Sequence, residues 1–168
     1  PKVENEFKPV APGEVVIHSY PDNSVVMSAA ANLEISVAQN SKVLLEINKQ
    51  LVSNQNIGTT REDRKNQITT YTFIGLGMKP GPNNISATSI SPEGMVGKAI
   101  NLTLYGRGSA KTLEILSDSK ELQASGRDST RIFVKALDAW SHPAQDLPVM
   151  IKTSAGRLIQ EEEYSNNQ

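Results

Sequence analysis

The chain has 168 residues, 17 basic and 18 acidic side chains, a formal net charge of −1 and no cysteine. The balanced charge argues against nucleic acid as a partner, because phosphate binding rests on an excess of Lys and Arg. The absent cysteines exclude disulfide frameworks, thiol nucleophiles and thiolate metal sites. Hydrophobic residues make up 38% and aromatic residues 5%, which suits modest cores rather than one large one. No apolar run approaches the roughly 18 residues of a membrane-spanning helix. The opening PKVENEFKPV lacks the basic and apolar regions of a signal peptide. A chain that begins at Pro1 rather than Met is expected to be a mature form or a piece of something larger.

In chain order, apolar residues recur at every second position, the period of a half-buried strand. After the turn signal APGE, VVIHSY places Val15, Ile17 and Ser19 on one face, and YPDNS closes the run. In NLEISVA, Leu33, Ile35 and Val37 share a face, with Glu34 and Ser36 on the other. KVLLEIN alternates through Val43, Leu45 and Ile47 and leads into a tight hairpin with Asn48 and Lys49 at its tip, where Gly is the better residue. Propensity alone would allow LLEINKQLV a short helix; the surrounding alternation and β-branched neighbours favour strand. REDRK, holding Glu62 and Asp63, reads as a solvated hairpin tip, and TTYTFIG contributes Tyr71 and Phe73. MKPGPNN centres a turn on Pro80 and Gly81, where Gly can take positive φ. NISATSI groups Ile85, Ala87 and Ser89, with Ile90 out of step, and INLTLYG groups Leu102 with Leu104. No sustained helical stripe with caps interrupts the series. The expectation is an all-β chain of short antiparallel strands arranged as a sandwich.

The pattern breaks at YGRGSAK, residues 105–111, and TLEIL begins a new alternating run. This divides the chain into one module over 8–106 and a second over 109–168. The second, over about residues 109–160, resembles the bacterial immunoglobulin-like repeats of the invasin and intimin type. Ala124, Ser125 and Gly126 match their small-residue turn; Ile132, Val134 and Ala136 match the inward positions of the next strand; Asp138 matches the acid that closes it. Pro143 matches the turn proline, Val149 and Ile151 the following strand, and residues 154–156 its exit. Trp140, Ser141 and His142 depart from the usual small or Asn/Gly turn. The first module resembles a more divergent member, through Leu76, Pro80, Gly81, Asn83, Ile85 and Ala87 in IGLGMKPGPNNISATSI.

The resemblance implies tandem immunoglobulin-like β-sandwich modules from a bacterial cell-surface, outer-envelope or secreted protein, with neighbouring modules as partners. Such a sandwich needs about 100 residues and seven strands. Residues 109–168 supply roughly 60, so the second module is expected to be only the first part of one. Its open strand edges would offer unpaired N–H and C=O groups for self-association.

Candidate functional residues follow from parity. If Ile132, Val134 and Ala136 face a core, Phe133 and Leu137 face outward around Lys135 and form a contact surface for a neighbouring module, a later strand or a partner. Trp140 joins them, either as a flat anchor for a protein or glycan ligand or as a ring folded over the module's end. His142 reads as a loop histidine, and His18 points outward without a second metal ligand at a suitable spacing. Ser141 beside His142 is adjacency rather than a triad, and no G-x-S-x-G is present. GRGS at 106–109 is followed by no Lys-Ser/Thr and no helix, so it is not a phosphate loop. Asp138, Asp128 and Glu161 are acids that calcium could use, but they form no D-x-D-x-D array. EEEY at 161–164 reads as an exposed acidic tail; the sequons at Asn84 and Asn101 carry no weight in a bacterial protein. No catalytic, cofactor or metal residue is assigned, and the chain is not expected to be an enzyme. The expected work is structural spacing or adhesion. The alternative is a carbohydrate-binding accessory module of an extracellular enzyme, which would need a planar row of aromatics drawn from Trp140, Tyr20, Tyr71, Tyr105 and Tyr164.

Overall fold

The computed structural model of the chain describes residues 8–145 and 148–159. In chain order the strands are β1 (Val15–Ile17), β2 (Ser24–Val26), β3 (Ala30–Ala38), β4 (Lys42–Ile47), β5 (Gln50–Leu51), β6 (Ile57–Asp63), β7 (Ile68–Gly77), β8 (Gly81–Ile90), β9 (Ile100–Gly106), β10 (Thr112–Ser117) and β11 (Ile132–Leu137). The only helical element among the described residues is a 3₁₀ turn, Asn54–Asn56. Four strands form one sheet in the order β1-β3-β7-β6, and five form another in the order β2-β9-β8-β4-β5. Every pairing is antiparallel except β2 with β9. The first edge of the chain thus switches sheets: β1 pairs with β3, and after the Pro21–Asn23 turn β2 joins β9. Asp22 Oδ1 accepts from the Thr103 N–H at that switch.

The period-two residues meet between these sheets. Leu33, Ile35, Val37 and Phe73 come from the first, and Leu45, Ile85, Ala87 and Leu104 from the second; all are buried in one cluster. Burying each large apolar side chain contributes about 1.5–3 kcal/mol, so this cluster supplies the driving force for the sandwich. Period two fails once. Phe73 and Leu76 lie three apart yet both are buried, facing Leu33 and Ala31, because the register shifts between those two partners. A bulge of this kind puts an extra residue on one strand and restores the inward direction.

The β4–β5 turn has Asn48 at φ 52° and Lys49 at φ 66°, the mirror-image turn that matches strand twist. Lys49 takes it without a glycine because Asn48 ties the turn down. Its amide donates to Asn83 Oδ1 (3.0 Å), and its Oδ1 accepts from the Asn84 N–H (3.0 Å).

Two expectations change, and two strands are new. Ser36, assigned to a solvated face, is fully buried: it sits in register between Val16 and Thr70 and shares hydrogen bonds with Thr70 Oγ1 (2.7 Å) and His18 Nε2 (2.9 Å). Gly81 does take positive φ, 81°, but as the first residue of β8 rather than the centre of the turn. β2 and β6 carry no legible alternation; β6, IGTTRED, is an exposed edge strand and has no apolar face to show.

Beyond the sandwich, β10 and β11 form a separate two-stranded antiparallel sheet. The register sets Leu113 opposite Ala136 and Ile115 opposite Val134 on one face, and Glu114 opposite Lys135 and Leu116 opposite Phe133 on the other. The expected parity is present, yet neither face is a core. Ile115 is 72% exposed and Ile132 and Phe133 are each 44% exposed. The strand expected at VMIKTSAG does not form: residues 148–159 contain no strand, and Val149, Met150 and Ile151 are exposed. Alternation creates a strand only when a neighbouring backbone accepts its hydrogen bonds, and a lone hairpin is marginal in water.

Candidate functional site: the junction between sandwich and hairpin

A dense polar arrangement lies where the sandwich meets the hairpin region. β9 ends at Gly106, the connector 107–111 leads into β10, and residues 138–145 turn back from β11 onto that connector. The turn is closed by the Asp138 N–H donating to the His142 carbonyl (2.8 Å) and by Ser141 at φ 62°. It returns beside β11, with Leu137 bridged to Pro143 and the Ala144 N–H donating to the Ala136 carbonyl (2.9 Å).

Asp138 is the centre of the turn. It is 3% exposed, and its carboxylate accepts three backbone N–H groups: Trp140 (2.9 Å) and His142 (3.0 Å) on Oδ1, and Gly108 (3.0 Å) on Oδ2. Burial alone would raise this carboxyl's pKa. The bonds from His142, Trp140 and Gly108, with the nearby His142 ring, outweigh burial and hold it below the ordinary carboxylate range. Two of the bonds are local to the turn; the third reaches across 30 residues to the connector. Gly108 in return accepts the Gln145 N–H on its carbonyl (2.9 Å).

Arg107 is the second clamp. Its guanidinium donates to the carbonyls of Met27 (3.1 Å), next to β2, and of Pro143 (3.3 Å) and Ala144 in the turn. The guanidinium spreads five donors over a rigid plane, so Nε, Nη1 and Nη2 reach carbonyls of two elements on different sides at once, a span the single ammonium centre of a lysine does not have.

The aromatic groups complete the contact. The Trp140 ring lies over Gly81, so close that a Cβ on Gly81 would overlap it; Gly108 is pressed between Trp140 and Asp138. His142 meets Tyr105 of β9 edge to face at 4.6 Å between centroids. Its buried Nδ1 has no hydrogen-bond partner among the described residues. The platform under Trp140 is itself fixed by Asn83, fully buried, whose amide donates to the carbonyls of Lys79 (2.8 Å) and Gly81 (3.0 Å) and accepts the Lys79 N–H (3.0 Å). Pro80, Gly81 and Asn83 therefore work as one unit: a turn, a left-handed residue without a Cβ, and an amide that ties both.

Of the three residues expected to form a contact surface, the structure places Trp140 in contact with the sandwich, at 41% exposure. Leu137 is half-buried beside the connector, its carbonyl accepting the Lys111 N–H. Phe133 lies opposite Leu116, 44% exposed, so the burial expected for it is not achieved. The aromatic candidates are dispersed: Tyr20 packs against the core, the Tyr71 hydroxyl donates to the Ser41 carbonyl, and Tyr105 meets His142. Tyr164 and Glu161 lie outside the described residues. Arg107 and Gly108 were missed as functional residues. Their signal in the sequence was an arginine between two glycines at a pattern break.

Other chemistry-bearing groups are engaged structurally. The hydroxyl of Ser36, bonded to His18, is fully buried and shared with Thr70, so no substrate can reach it. Burial lowers the His18 pKa, with Glu34 opposing. Asp128 accepts the Gln123 N–H in an exposed turn, and Asp63 caps the β6–β7 tip through Lys65 and Asn66. Among the described residues no group of three or more His, Asp or Glu could hold a metal ion, and no helix is long and apolar enough to cross a membrane. A shallow groove of about 250 Å³ between β5 and the end of β7, lined by Ile47, Leu51, Val52, Ser53, Leu76 and Lys79, contains no acid, and its Ser53 hydroxyl accepts the Gln55 N–H as a turn cap. The chain matches no family model and no curated protein sequence.

Proposed function

We propose that this chain is a non-catalytic structural segment, built of immunoglobulin-like modules in series, that spaces or presents other parts of a bacterial cell-surface or secreted protein, with adhesion as the associated activity. The observation that carries this reading is the junction: Arg107, Asp138 and Trp140 hold the sandwich and the following turn in one relation, where a free linker would leave it open. A fixed relation between successive units is what a spacer needs. The strand orders β1-β3-β7-β6 and β2-β9-β8-β4-β5 support the immunoglobulin-like reading, since they correspond to the two sheets of that architecture with its first strand divided between them. The bacterial surface location rests on the resemblance of the motifs.

The absence of cysteine makes the test direct, because two labels can be introduced at chosen points. Spin labels at Thr60→Cys in the sandwich and Ala139→Cys in the turn after β11, both exposed positions, should give a single narrow distance distribution. Arg107→Ala should broaden it. A broad distribution in the parent chain would mean that the segment is a flexible tether, and the spacer reading would fall.

A further inference from the structure

We infer that the pole of the sandwich formed by Met27, Gly81, Tyr105 and Arg107 is a built docking surface for a turn of the type Asp-x-Trp-x-His-Pro-Ala, and that residues 138–145 fold with the sandwich and not with the hairpin that carries them. This goes beyond the spacer reading and holds whatever the segment is for.

The burial pattern divides the second region sharply. No residue from 112 to 137 is buried, whereas Gly108, Asp138 (3% exposed) and Ala144 (4% exposed) are. The buried residues are those that touch the sandwich or the connector. Hydrogen bonding divides it the same way. The turn is bonded internally through Asp138, to the connector through Gly108, and to the sandwich through Arg107 and the Met27 carbonyl. The far end of the hairpin, by contrast, is held by its own ladder and by exposed contacts such as the Asp118 N–H to the Arg131 carbonyl and the Arg131–Asp118 ion pair.

Opening the hairpin from its tip exposes little that is not already exposed. Releasing the turn would strip Asp138 of a buried N–H, remove Trp140 from Gly81 and part Arg107 from its carbonyls; these changes sit on the rim of the closed core. A cooperative unit is the set of groups that lose burial and hydrogen bonds together. By that measure its boundary lies inside the second region, after Leu137, although the sequence pattern breaks at 105–111. The 26 or so residues between connector and turn form an excursion from a unit that is closed at both ends.

The test is native-state hydrogen exchange on the full chain, followed residue by residue. The amides of Trp140, His142 and Gln145 should exchange within about tenfold of the slow amides of β8 and β9, and those of Leu116 and Phe133, which face each other in the same hydrogen-bonded phase as Asp118 and Arg131, at least about a hundredfold faster. A second measurement addresses coupling. Leu102→Val weakens the sandwich core, and should speed exchange at Trp140, His142 and Gln145 by the same factor as in β8, with Leu116 and Phe133 unchanged. Turn amides that exchange at the hairpin's rate, or that ignore Leu102→Val while β8 responds, would overturn the assignment.

Discussion

Residues 8–106 and residues 109–159 are written in the same alternating style and reach opposite ends. In the first, Leu33, Ile35 and Val37 point at Leu45, Ile85 and Leu104 across a gap between two sheets, and all are buried. In the second, Leu113 and Ile115 align beside Ala136 and Val134 on one face of a hairpin, and the two large aliphatics remain 58% and 72% exposed. The difference is not in the strands. Hydrogen-bonded pairing supplies a face, and only a second sheet removes that face from water. A two-stranded sheet has nothing to close against, and its stability is borrowed through the junction at 138–145.

This contrast can be broken most directly in the cores. Phe73→Ala should lower the unfolding free energy by about 3–5 kcal/mol, because a fully buried ring leaves a cavity. Ile115→Ala should change it by no more than about 0.5 kcal/mol. Urea titrations followed by circular dichroism compare the two. Similar losses would mean that the hairpin face is covered and that the two regions do not differ in kind.

The junction comes next. Gly81→Ala introduces a Cβ where φ is 81° and where the Trp140 ring lies, and should cost about 2 kcal/mol. Trp140, the sole tryptophan, should shift its emission to the red as it is displaced. Unchanged emission would show that the ring does not depend on this platform.

Asp138 gives the junction a pH dependence with a definite sign. Its folded pKa is depressed below 3.8, so its contribution is fully present above the unfolded value and is lost as pH falls through the folded one. The part of the Trp140 emission that depends on Asp138 should change only below about pH 4. Asp138→Ala should abolish that step and cost about 1–3 kcal/mol, since three backbone N–H groups lose their acceptor. A step centred near neutral pH would assign the transition to another group.

A small effect is also expected for the outward pair. Phe133→Thr combined with Leu137→Thr keeps strand propensity and removes little buried area, so the loss should stay below about 1 kcal/mol. A larger loss would reveal a covering surface that the hairpin does not have here.

Strand positions and their parity were legible in the residues themselves. Leu33, Ile35, Val37, Ile85, Ala87, Leu102 and Leu104 alternate, and a period of two has one structural meaning whatever surrounds it. The break at YGRGSAK was legible for the same reason, since two glycines and small residues interrupt the period. The edge strands β2 and β6 were not: β2 is three residues long and sends only Val26 into the core, and β6 has no buried face, so neither leaves a hydrophobic period. Nor was the bulge that buries both Phe73 and Leu76, because it depends on the partner's register. The candidate site was legible only in part. Trp140 stood out as an unusual turn residue, but its neighbour Gly81 lies 59 positions earlier in the chain, and Arg107 reaches a carbonyl 80 positions away. Local pattern states which way a side chain points. Whether another surface stands there to meet it is settled by tertiary packing, which brought Trp140 onto Gly81 and left Ile115 in water.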